Sequence, residues 1–179
     1  MSVEAYATQV EWEPLVAAYR QGRLADVLDD TEELSWFHSH SDDDWEESFK
    51  AAVAAGDRYE ELRGYLAPEV RELCDQVFNV FFWNLDGYGR DDLGLSPAER
   101  EELSERLSIV LNPETVRRLA GCVAAIPTRE LGLAFREHAK PDPEWYCGTD
   151  EQFVGYVQQW FRLLSDAEST SRGIILSIA

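Results

Sequence analysis

The segment Gly173–Ala179, GIILSIA, constrains this chain more than any other. It carries no charge to keep it solvated. Ile174, Ile175, Leu176 and Ile178 put apolar groups on both faces of an extended backbone, which suits a strand covered on both sides. The helix expected before it, from Thr149 to about Arg172, delivers it back across the domain. Its obvious neighbour lies near the other end of the chain, where Val3, Ala5 and Ala7 alternate with Glu4, Tyr6 and Thr8 at the two-residue period of a strand. Ser108–Leu111, SIVL, is a third short strand candidate. The expected fold is α+β: a single domain over residues 1–179, predominantly helical, with a small sheet that includes the N- and C-terminal strands. A chain of 179 residues suits one domain.

The helices announce themselves by apolar stripes and caps. Glu11–Asp30 reads as one or two short helices interrupted near Gly22. Ser41 reads as the N-cap of a helix whose apolar face is Trp45, Phe49, Ala52 and Val53 and which Gly56 ends or interrupts; Tyr59, Leu62 and Leu66 continue the stripe. Pro68 opens another helix at a position where its missing N–H is harmless. Val70, Leu73, Cys74, Val77, Phe78, Phe81 and Phe82 follow at three- and four-residue spacing, so this is the expected core helix. Ser96–Glu99 is a capping box for a helix to about Leu107. Asn112-Pro113-Glu114 caps a helix with Val116, Leu119, Ala120, Val123 and Ile126 on one side. Leu131–His138 is a short helix, and Pro141–Trp145, PDPEW, a loop. Thr149–Gln152 is a second capping box, opening a helix with Phe153, Tyr156, Val157, Trp160, Phe161 and Leu164 inward.

Charge narrows function. Sixteen Lys and Arg stand against 35 Asp and Glu, a formal charge of −19. Such a surface repels phosphate backbones and anionic membranes, so neither nucleic acid nor membrane is an expected partner. It attracts basic proteins and speeds their association. Leu24–Phe49 holds ten acidic residues and no Lys or Arg, with LSWFHSHSDDDW inside it. Trp36 and Phe37, rimmed by Asp42, Asp43 and Asp44, form a candidate surface for a basic partner. The plainer readings are that the charge serves solubility and that Trp36 and Phe37 pack over the core. The sequence leaves both readings open and does not set the oligomeric state. Cys74, Cys122 and Cys147 are odd in number and show no CxxC, which fits reduced cytosolic thiols. The opening residues lack the basic and apolar regions of a signal peptide. The longest strongly apolar stretch, Val77–Leu85, is too short to span a membrane. Cytoplasmic location is the expectation.

Few residues carry recognisable chemistry. His38 and His40 beside Asp42–Asp44 are metal-type ligands, but no distant His or Cys completes a site, and the segment reads as a solvated acidic loop. No cofactor is expected. Cys147 lies nine residues from His138, yet its acidic neighbourhood disfavours a thiolate, so a packed thiol is the reading. Cys74 and Cys122 fall on apolar faces and read as core. There is no GxSxG, HExxH, Walker loop or GxGxxG after a strand. The leading functional expectation is a non-catalytic acidic interaction module, immunity-like or regulatory, for a basic partner. The alternative is a small-molecule-binding or enzymatic domain with a cleft lined by Trp83, Tyr88, Trp145 and Tyr146.

The last 70 or so residues carry a family pattern. Leu111-x-Pro113-Glu114-x-Val116 starts a helix; a short helix, an acidic loop with Trp145, a helix with an aromatic-rich face and an apolar strand from Phe153 to Ile178 follow. This resembles the YfbM-like family of bacterial proteins, built on a domain of unknown function. Gly87-Tyr88-Gly89 matches a loop of that family, although the helix Ser96–Leu107 intervenes here, and the segment Phe78–Trp83 lacks the family's histidine. The resemblance implies an α+β fold and a bacterial cytosol, and implies no reaction.

Overall fold

The computed structural model describes residues 5–23, 45–80 and 109–178. Within them β1 (Ala5–Val10), β2 (Ile109–Leu111) and β3 (Gly173–Ile178) form one antiparallel sheet in the order β1-β3-β2. The expected interior strand is therefore central, paired on one edge with β1 and on the other with β2. Gln9 and Leu111 both lie opposite Ile174; Thr8 and Val110 both lie opposite Ile175.

Successive strand residues point to opposite faces. Ile174 is 0% exposed and Ile175 3%, so both faces of β3 are covered. The Ile174 face, shared with Ala7 and Leu111, belongs to the main core. The Ile175 face is also that of Gly173. A Cβ on Gly173 would lie 2.6 Å from Trp12 Cε3 and 2.8 Å from the Leu111 carbonyl oxygen. Only glycine admits that approach. Trp12 begins α1 (Trp12–Arg20), whose Leu15 and Ala18 are buried. The helix gives way to a turn at Gly22, whose φ of +68° is left-handed.

Five further helices complete the described structure: α2 (Trp45–Arg63), α3 (Pro68–Phe78), α4 (Pro113–Ala125), α5 (Thr128–His138) and α6 (Asp150–Ser169). Helix α6 packs against α4, α5 and α2. Its Phe153 lies between two aromatic neighbours, with ring centroids 6.4 Å from Phe78 and 5.7 Å from Phe135. Phe78 in turn stacks on Tyr59 at 4.2 Å. The Tyr59 hydroxyl donates to Asp75 Oδ1 at 2.6 Å, and Arg63 donates to both Asp75 oxygens at 2.7 Å. Burial alone would raise the Asp75 carboxyl, but the Arg63 and Tyr59 hydrogen bonds hold it below its usual value.

The expected caps form. Asn112 Oδ1 accepts from the Thr115 amide at 2.8 Å, Pro68 and Pro113 stand in first turns, and Thr149 and Gln152 make a reciprocal capping box. Three expectations need correction. Helix α2 runs through Gly56 without a break. Gly56 is buried there, one turn from buried Ala52 and Tyr59, and packing offsets a glycine penalty of roughly 0.5–1 kcal/mol. Val53, assigned to the inner face, is 43% exposed, because the buried face runs through Ala52, Ala55, Tyr59 and Leu62 instead. Helix α5 begins at Thr128 rather than Leu131, since Pro127 itself takes the N-cap position. The helix expected over Ser96–Leu107, Phe81 and Phe82 lie outside the described residues.

Candidate functional site

Of the residues singled out from sequence, Trp145 and Tyr146 fall in the described structure; Trp36, Phe37, His38, His40, Asp42, Asp43, Asp44, Trp83 and Tyr88 lie outside it. Trp145 and Tyr146 line an open cleft of about 780 Å³. One wall is the loop from Pro143 to Cys147. The other is α6, through Glu151, Gln152, Gly155, Tyr156 and Gln159. Lys50 and Ala51 of α2 close one end. The helix positions recur at three- and four-residue spacing, so they form a single face looking into the cleft.

The loop wall is held by its own backbone. The Asp142 amide donates to the Gly148 carbonyl at 2.7 Å, the Trp145 amide to the Asp142 carbonyl at 3.0 Å, and the Gly148 amide to the Trp145 carbonyl at 3.1 Å. The ring they close is so tight that a Cβ on Gly148 would fall 1.6 Å from the Asp142 oxygen. Cys147 adopts a left-handed φ of 51°, a strained state for a residue with a side chain. The Gln152 side chain accepts from the Gly148 and Thr149 amides, tying the loop to the start of α6. Arg136 of α5 reaches Asp150 at 3.1 Å beside the same junction.

This construction fixes what the loop displays. Trp145 is 55% exposed, which is unusual for the largest apolar side chain. Its ring meets Tyr146 edge-on with centroids 5.7 Å apart. Tyr156 on the helix wall meets Trp160 edge-on at 6.4 Å, and burial pushes its phenol upward, so the hydroxyl stays protonated. Glu144 and Glu151 bring two carboxylates to the lining, and Lys50 one ammonium.

Cys147 points inward. Its thiol donates to the Ala51 carbonyl at 3.7 Å and is pushed up to about 12. Burial causes the rise, opposed by Arg58, so the acidic sequence neighbourhood is not the reason. Cys74 is likewise pushed up to about 12 by burial. All three cysteines are free and buried. His138, weighed as a base for Cys147, instead lies flat on Tyr65 with ring centroids 3.7 Å apart. Among the described residues no cluster of His, Cys, Asp and Glu could hold a metal ion, and no helix is long and apolar enough to cross a membrane.

No protein family, curated protein or solved structure matches this chain.

Sequence reasoning missed the helix wall. Spacing places Tyr156 inward, and it does pack against the core while also lining the cleft; Gly155 and Gln159 carry no signal by themselves. The pairing of that face with the Trp145 loop depends on the turn between α5 and α6, which spacing does not specify.

Proposed function

We propose that this protein is a non-catalytic interaction module that docks a basic partner protein on the Trp145 cleft. The observation that carries the reading is Trp145 itself: an exposed indole held by a loop that hydrogen-bonds to itself, in a cleft lined by further aromatic rings and two carboxylates. Exposed aromatic anchors at a polar rim are the usual source of binding energy at protein interfaces. Fixing such an anchor in advance lowers the entropy lost on association. The overall charge of −19 supports the same choice of partner by steering basic surfaces toward it. The thiol of Cys147 is buried against the Ala51 carbonyl and pushed up by that burial, so it offers the cleft no ready thiolate. The open shape of the cleft favours a partner surface over an engulfed small molecule.

A distant relationship to the YfbM-like family is proposed alongside, supported by the Asn112 cap and Pro113 start of α4, the aromatic face of α6 and the strand β3; it assigns no reaction. The acidic segment Leu24–Phe49 remains a proposed second contact for the same basic partner.

The docking reading is tested by affinity capture from cell extract at low salt, followed by quantitative binding of the captured protein. Trp145→Ala should weaken binding by about 2 kcal/mol or more, near thirtyfold, while leaving the melting temperature within about 1 °C. Rising salt should weaken the wild-type complex as well. Equal affinity of wild type and Trp145→Ala would sink the proposal.

A further inference from the structure

Gly155 is out of place in α6. It sits mid-helix, where alanine holds the backbone more firmly. Glycines persist in helices where a neighbour approaches closely, as at Gly132 of α5, where a Cβ would lie 3.3 Å from Val154 Cγ2. That reason fails at Gly155, as it does at Gly121 of α4. A Cβ built there meets nothing within 4 Å. The position instead lines the cleft, one turn from Glu151 and one from Gln159, with Tyr156 next to it. The helix wall of the cleft is bare of a side chain at this position, and no packing within the described fold accounts for it.

Resting on the docking reading above, we infer that the bare backbone at Gly155 seats a single arginine side chain of the partner. The guanidinium group is planar and weakly hydrated, stacks on aromatic faces and pairs with carboxylates in a fork geometry. The cleft offers each of these contacts: the rings of Trp145, Tyr146 and Tyr156, and the carboxylates of Glu144 and Glu151. Two carboxylates and the Lys50 ammonium leave the lining with one net negative charge, which one guanidinium neutralises and a second would overcharge. A flat group lying across the helix needs that stretch of wall kept clear. Any side chain at position 155 would occupy that space.

The test uses the full chain and three capped pentapeptides with arginine, lysine or citrulline at the centre of an alanine sequence. Binding is followed by the amide signal of Gly155 and the indole signal of Trp145 in nuclear magnetic resonance titrations. The arginine peptide should shift both signals saturably, lysine should bind more weakly, and citrulline, which keeps the shape and loses the charge, should bind least. Gly155→Gln should melt at or above the wild-type temperature, showing an intact helix, yet bind the arginine peptide at least about tenfold more weakly, judged by the Trp145 indole. If Gly155→Gln binds like wild type while Trp145→Ala does not, the seat at Gly155 is refuted and the docking reading stands. If the arginine peptide produces no saturable shift at either signal, both are overturned. Equal binding of citrulline and arginine refutes the guanidinium assignment.

Discussion

Gly148→Ala should disable the loop that presents Trp145. The added methyl has nowhere to go, because the Asp142 carbonyl oxygen lies 1.6 Å from its required position and the Trp145 carbonyl oxygen 2.8 Å away. Both obstacles are backbone, so no rotamer change relieves them. The loop must open, and three backbone hydrogen bonds of 2.7, 3.0 and 3.1 Å are broken or stretched. At a net ~0.5–1.5 kcal/mol each, their loss is about 1.5–4.5 kcal/mol. For a domain of this size 1 kcal/mol moves the melting temperature by roughly 2–4 °C, so a central value near 3 kcal/mol lowers it by about 6–12 °C. Differential scanning calorimetry measures this directly. Gly121→Ala is the internal control: its Cβ meets nothing within 4 Å on helix α4, so the same substitution there should hold or slightly raise the melting temperature. A Gly148→Ala protein that melts within about 2 °C of wild type would refute the steric reasoning. Loss of partner binding should accompany the fall in stability, since the indole anchor is no longer fixed.

Asp75 should shape the acid limb of stability. Its folded carboxyl lies below the usual 3.8, so its contribution is present above that value and is lost as pH falls through the folded one. Urea unfolding from pH 6 to pH 2 should show a steeper decline for wild type than for Asp75→Asn; parallel curves would contradict this. The thiols of Cys74 and Cys147, both pushed up to about 12 by burial, should resist iodoacetamide at pH 8 until the protein unfolds, and rapid labelling of either in native protein, read by mass spectrometry, would be the contrary result. A chain stopped after Arg172 loses Ile174 and Ile175, each buried for roughly 1.5–3 kcal/mol, together with both strand partnerships, and should be insoluble or unfolded; a soluble product with an unchanged melting transition would refute the central role of β3.

The elements were legible where local chemistry decides them. The alternation near Ala5–Thr8 and the uncharged run from Gly173 gave two strands that pair in the structure, and Asn112 and the Thr149–Gln152 box marked helix starts that carry the hydrogen bonds expected of them. Legibility failed where tertiary packing overrides local preference. Gly56 is a weak helix former held inside α2 by its buried neighbours. Val53 follows the stripe by spacing yet looks outward, because it lies about 100° round the helix from Ala52, on the side away from Ala55, Tyr59 and Leu62. The cleft was half legible. Trp145 and Tyr146 stand out as aromatics in a proline-rich loop, but their partners on α6 become partners only through the closed ring at Gly148, a long-range backbone event with no periodic signature.

The central place of β3 also orders the birth of the fold. Among the described residues β1 and β2 do not pair with each other; each pairs with β3. Synthesis runs from the amino end, so both wait, with unpaired edges, until residues 173–178 leave the ribosome. More than 160 residues then separate β1 from its partner, and such distant pairings form late. The helices can gather around Phe153 beforehand, leaving a slot between β1 and β2 that β3 fills. A stalled or clipped chain therefore exposes two orphan strands at once, the kind of edge that invites aggregation or the attention of chaperones and proteases.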